Sequence, residues 1–146
     1  CVEPCIMAPA FAAMNPQHPR SFHGSCHCSA IQFTVRVERF EVLDCNCSIC
    51  QKKGFFFLIV PPEQFELLQG ADNLSTYTFN TGLAKHLFCQ TCGMHPFYRP
   101  RSHPNHIDVN LCCIDEPLET LLQQFEVQPF NGRRWEDSID QIADSE

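Results

Sequence analysis

A single, mostly β domain of antiparallel sheets with short peripheral helices is what this 146-residue sequence predicts, and three observations carry the prediction. Apolar and polar residues alternate in short runs along most of the chain, the period of strands with one buried face. Helical spacing is confined to the segment beyond Glu116. Seven of the eleven cysteines crowd into three clusters, Cys26-His27-Cys28, Cys45-Asn46-Cys47-Ser48-Ile49-Cys50 and Cys89-Gln90-Thr91-Cys92. Neighbours so close chelate a metal ion well, whereas disulfides between them are strained and gain little from loop closure. The length suits one core, small enough to benefit from a metal staple.

The elements follow in order. Residues 1–21 are expected to form a flexible arm, because Asn15-Pro16-Gln17-His18-Pro19-Arg20 is polar and proline-rich. Met14 is a plausible start, so residues 1–13, with Cys1 and Cys5, read as an incidental extension. Residues 22–146 form the domain. Over 30–37, Ile31, Phe33, Val35 and Val37 alternate with Gln32, Thr34 and Arg36, a half-buried strand. Cys26 and Cys28 precede it, and an extended backbone there would point both sulfurs the same way. Residues 40–44 predict a strand delivering Cys45, and 55–60 a more buried one ended by Pro61-Pro62. The central cluster is then a loop between them. Residues 65–68 read as a helical turn or strand and 74–79 as a strand. Residues 86–89 lead into a knuckle closed by Gly93, and 96–99 and 106–111 read as strands. Leu118, Leu121, Leu122 and Phe125 share one helical face, and 133–143 predicts a second short helix.

Composition narrows the partners. A net charge of −7 argues against nucleic acid and anionic membranes, both of which need clustered basic residues. The longest apolar run, Gly54 to Val60, is far too short for a membrane span. Ala10-Phe11-Ala12 faintly resembles a signal cleavage site, but Pro4 and Pro9 interrupt the stretch and no basic residues precede it. With metal-bound rather than bridged cysteines, the expected location is cytoplasmic.

The cluster chemistry points to zinc at two unequal sites. Cys26, Cys28, Cys89 and Cys92 offer four thiolates, enough to close a structural tetrahedron. That closure spans sixty-odd residues, worth on the order of 3 to 4 kcal/mol of loop entropy. Cys45, Cys47 and Cys50 offer three. The fourth position there is either filled by His27, His86, His95, Cys112 or Cys113, making a second structural site, or left open to water or an exogenous thiol. The residues alone favour neither. Cys112-Cys113 suits a pair of small core side chains. His27, His86 and His95 flank the clusters and suit hydrogen bonds to bound sulfur. Arg99 and Arg101 fit a solvated strand end better than a carboxylate clamp.

Gly24-Ser25-Cys26-His27-Cys28-Ser29-Ala30, Cys45-Asn46-Cys47-Ser48-Ile49-Cys50 and Phe88-Cys89-Gln90-Thr91-Cys92-Gly93, in this order and spacing, resemble the glutathione-dependent formaldehyde-activating enzyme family. The similarity runs over about 22–135, and 44–50 with 76–81 resembles especially its centromere protein V branch. The resemblance implies a β-tent fold, a structural zinc on Cys26, Cys28, Cys89 and Cys92, and a catalytic zinc on Cys45, Cys47 and Cys50. It implies a carbon–sulfur lyase of the S-(hydroxymethyl)glutathione synthase type, joining glutathione and formaldehyde. Ser29 stands where the family usually has glycine, and no separate glutathione motif can be matched. A noncatalytic zinc-stabilised interaction module, or a family enzyme with another substrate, are the alternatives.

Overall fold

The first strands of the chain set the first sheet. In the computed structural model, which describes residues 18–101 and 103–134, β1 (Arg20–Ser25) and β2 (Gln32–Val37) pair antiparallel, and β5 (Phe65–Gln69) joins the other edge of β2. β1 begins at Arg20, taking in two residues expected in the arm. Its Gly24 faces Phe33 across the hairpin, and a Cβ at that position would run into the Phe33 ring. A side chain is excluded there by space, not by backbone conformation.

A five-stranded sheet runs β10-β3-β4-β9-β8, where β3 is Glu41–Cys45, β4 Phe57–Val60, β8 Phe97–Tyr98, β9 Ile107–Asn110 and β10 Glu126–Phe130. Its pairings are antiparallel except that of β10 with β3, which is parallel. β6 (Leu74–Tyr77) and β7 (His86–Cys89) form a two-stranded sheet. The mostly β, antiparallel class expected from the alternating runs is thus what the chain adopts. β10 was not among the expected strands: Pro129 and a polar, largely exposed sequence hide it, and proline is tolerated because the strand lies on a sheet edge.

The helices are short. α1 (Ser48–Lys53) occupies what was expected to be a loop, and α2 (Leu118–Gln124) carries the expected apolar face. Leu121 of α2 is fully buried, and Phe125 just beyond it packs against Phe22 and Phe40 at ring separations of 6.0 and 5.0 Å. The expected helix over 133–143 lies almost wholly outside the described residues. No described helix is long and apolar enough to cross a membrane.

The main core is built from the inward faces of β1, β2, β4, β9 and α2, with Phe33, Val35, Val37, Leu58, Val109 and Leu121 essentially inaccessible. A separate small apolar cluster, Cys50, Phe55, Phe57 and Tyr98, surrounds the central cysteines. β9, held between β4 and β8, is buried along its whole length. Ile107 and Val109 enter the main core while Asp108 points the other way.

Candidate functional site

Two tight turns make the outer cluster. The β1–β2 connection folds back on itself, with the Ser29 N–H donating to the Cys26 carbonyl at 3.1 Å, and Ser29 takes a left-handed φ of 68°. That conformation explains why glycine is the expected residue there, and the chain accepts a serine in its place. Cys26 and Cys28 therefore converge through a turn, not through an extended run. Beyond β7, the Gly93 N–H donates to the Cys89 carbonyl at 2.9 Å, with Gly93 at a φ of 78°.

These turns bring the sulfurs of Cys26, Cys28, Cys89 and Cys92 within 4.8 Å of one another. Cys26–Cys28 and Cys28–Cys89 are 3.6 and 3.7 Å apart. Tetrahedral bonds of about 2.3 Å would separate sulfurs by about 3.8 Å, so the cradle fits a zinc-sized ion. Ile31 N–H and Asn73 Nδ2 each donate to a sulfur, Cys26 and Cys89 respectively, at 3.3 Å, orienting the ligands.

The second group is Cys45, Cys47 and Cys50, also within 4.8 Å of one another. β3 ends at Cys45, and Cys47 is the N-cap of α1, its sulfur accepting from the Cys50 N–H at 3.4 Å. One helical turn then carries Cys50 back toward Cys47. The cysteine spacing is thus a capping geometry, which is why a helix stands where a loop was expected. Hydrogen bonds from Cys45, then Cys50, pull the Cys47 thiol far below its ordinary pKa, and those from Cys45 and Cys47 push Cys50 far above. The turn just beyond β10 packs against the group: a Cβ on Gly132 would lie 2.5 Å from the Cys45 sulfur and 2.7 Å from the Cys47 Cβ. Arg133 donates from its backbone N–H to Asn46 Oδ1 at 3.1 Å and from Nε to the Asn46 carbonyl at 3.0 Å, and also reaches Gln51.

Among the described residues, no histidine, carboxylate or further cysteine joins either group. Of the fourth-ligand candidates, His86 lines the same cavity as the three thiols without joining their group, and the other four lie elsewhere. His27 is exposed, His95 Nδ1 lies 3.1 Å from the Leu87 carbonyl, and Cys113 is buried in the main core. Its neighbour Cys112 is exposed, so only one of the pair is a core residue.

The three thiols instead line a cavity of about 400 Å³, within the range that takes small organic ligands. Phe57, Ile59 and Phe130 supply apolar wall, and Tyr98, His86 and Asp108 supply polar groups. Arg101 and Arg133 line it too, whereas Arg99 is exposed and not part of it. Burial pushes the Asp108 carboxyl up to about 8 and the Tyr98 hydroxyl well above its usual value. At the edge of the His86 ring, Lys53 Nζ sits 4.5 Å from the Tyr98 ring centroid, and burial lowers its ammonium to about 8.

Asp108, Lys53, Tyr98 and Arg133 carried no signal in the sequence. Asp108 is one polar position in an alternating run, where a solvent face is the ordinary reading. Lys53, one turn beyond Cys50, becomes legible only once residues 48–53 are known to be helical.

A sequence model of the family described as glutathione-dependent formaldehyde-activating enzyme matches residues 21–129. A crystal structure of a Rhodobacter sphaeroides protein, solved as a structural-genomics target, is similar at 30% identity with a TM-score of 0.65, covering 73% of this chain and 99% of that one. With both cysteine groups assembled on the matched segment, the chain belongs to the glutathione-dependent formaldehyde-activating enzyme family.

Proposed function

We propose that the chain is a zinc-dependent carbon–sulfur lyase that joins a small thiol, glutathione by family, to formaldehyde or a related small carbonyl, as S-(hydroxymethyl)glutathione synthase does. The observation that carries this reading is the contrast between the two cysteine groups. Four thiols close one, while three line a cavity with no fourth protein ligand among the described residues. The donor sets fit zinc at both: Cys26, Cys28, Cys89 and Cys92 would hold a structural ion, and Cys45, Cys47 and Cys50 a catalytic one. When bound there, zinc would supply Lewis acidity and favour a thiolate near neutral pH.

The chain's own residues do the rest. Arg133, held against Asn46 and Gln51, presents its positive charge beside the thiols, and Arg101 adds another. Together they suit the two carboxylates of a tripeptide thiol. Phe57, Ile59 and Phe130 exclude water around the reacting sulfur and carbon, strengthening each polar contact made inside. The residues from Arg20 onward that build the sheets and both cysteine groups act as one domain, and the thiol partner is a cytoplasmic one.

The test is exchange spectroscopy on full-length protein carrying its metal. The rate of interconversion between glutathione plus formaldehyde and their hemithioacetal is expected to rise well above the uncatalysed rate. Cys47→Ser should abolish the gain with the fold intact. An unchanged rate in the wild-type protein would remove the formaldehyde reading.

A further inference from the structure

A buried imidazole with one unmatched nitrogen borders the same cavity. His86 opens β7 and is 3% exposed. Its ring lies between Phe79 and Tyr98, at centroid separations of 5.5 and 4.9 Å and interplanar angles of 22° and 20°. Two stacked faces fix the plane and leave the ring edge for polar work.

The tautomer follows from the neighbour. His86 Nδ1 lies 3.0 Å from Lys53 Nζ, and an ammonium has only protons to give. Nδ1 is therefore the acceptor. Burial, then the Lys53 charge, lowers the His86 pKa to about 4, so the ring is neutral and its one proton sits on Nε2. That atom is buried and has no hydrogen-bond partner among the described residues. A role as donor to metal-bound sulfur would have given it one.

Asp108 supplies the complement. It is 2% exposed, lines the same cavity, and is hydrogen-bonded to Tyr98, yet its Oδ1 has no partner among the described residues. With the carboxyl ionised, or protonated on Oδ2, Oδ1 accepts. One orphan donor and one orphan acceptor thus border one cavity with three thiols. Neither is stable unpaired, and each costs free energy until a ligand meets it.

We propose that His86 Nε2–H and Asp108 Oδ1 form a two-point site for a hydroxyl on the carbon attached to the ligand's sulfur. The hydroxyl oxygen accepts from His86 and its proton is donated to Asp108. This rests on the hemithioacetal reading above, since addition of a thiol to a carbonyl creates such a hydroxyl: the S–C bond forms, the C=O π bond opens, and the thiol's proton is replaced by one on oxygen. It also gives the cavity a specificity. A thioether of similar size without the hydroxyl would leave both buried groups unpaired, the situation in which sites reject an analogue most strongly. Lys53 is a positioning residue, holding the proton on Nε2.

Nitrogen-15 NMR of the imidazoles in full-length, metal-carrying protein tests this, with His86 assigned by its loss in His86→Gln. The Nε2–H tautomer is expected, with a shift on adding glutathione and ¹³C-formaldehyde together and none with S-methylglutathione. Lys53→Met should populate the Nδ1–H tautomer. Binding of the hydroxymethyl adduct should be tighter than that of S-methylglutathione by about tenfold or more. His86→Leu should erase that preference and His86→Gln, whose amide can donate from the same place, restore most of it. An Nδ1–H tautomer in wild type, or equal response to both ligands, overturns the proposal. If the adduct shifts His86 while the exchange rate stays uncatalysed, the hydroxyl site stands and the proposed reaction falls. If exchange is catalysed and His86 does not respond, the reaction stands and the hydroxyl site falls.

Discussion

Asp108 illustrates how a single residue can set a pH dependence. Its folded pKa is raised above the unfolded value, so the native state holds more protons between 3.8 and about 8, and stability falls as pH rises through that window. His86 acts oppositely: with its pKa lowered from 6.5 to about 4, its contribution grows as pH rises through that range. The two slopes offset below 6.5. Between 6.5 and about 8 Asp108 acts without that counterweight, and above it the lowered Lys53 pKa makes stability rise again toward 10.5. His86 and Lys53 are common to both proteins, so Asp108→Asn is expected to gain on wild type progressively from pH 3.8 to about 8, with a slope of up to about 1.4 kcal/mol per pH unit. Chemical denaturation of the metal-carrying proteins across that range checks it. A constant difference between the two proteins would show that Asp108 ionises normally in the fold.

Two glycines carry the predictions at the level of elements. Gly24→Ala pushes a methyl into the Phe33 ring, near the turn end of the β1–β2 hairpin. Overpacking of this kind costs about 1–3 kcal/mol, and thermal denaturation should show the loss with metal content unchanged at both sites. Gly132→Ala acts elsewhere: its methyl meets Cys45 and Cys47, so metal retention at the three-cysteine group should fall while the four-cysteine group keeps its ion. Metal stoichiometry by mass spectrometry separates these outcomes, and equal loss from both sites would contradict the assignment. The same elements show what the sequence could tell. A strand with one buried face, such as β2, announces itself by alternation, and the four-cysteine group by its spacing. α1 was hidden because its six residues are too few for a helical period, and Cys47 caps it with sulfur in place of the usual oxygen. β10 was hidden because its pairing comes from β3, not from its own side chains.

For the whole molecule, the two cysteine groups should differ in what they protect. The outer one joins the β1–β2 turn to the end of β7 and abuts the main core, so Cys89→Ser is expected to destabilise the fold broadly. The central one sits in its own small apolar cluster beside an open cavity. A strong chelator should thus strip metal in two stages: first with circular dichroism unchanged and catalysis lost, later together with unfolding. A single stage, with structure and metal lost together, would mean that both groups hold the fold. The acidic whole, with a net charge of −7, also makes the arginines at the cavity local exceptions in a repulsive field. A doubly anionic thiol should therefore bind more tightly as salt screens the surrounding acids, provided the arginine contacts are close enough to escape screening.

The parallel pairing of β10 with β3 has a consequence in time. Cys45, Cys47 and Cys50 leave the ribosome about eighty residues before Phe130 and Gly132, which seat against them. The four outer ligands, by contrast, are all translated by residue 92. A nascent chain can therefore assemble its four-cysteine group and its main hairpin while the three-cysteine group is still unfinished, waiting on a strand translated about eighty residues after its own thiols.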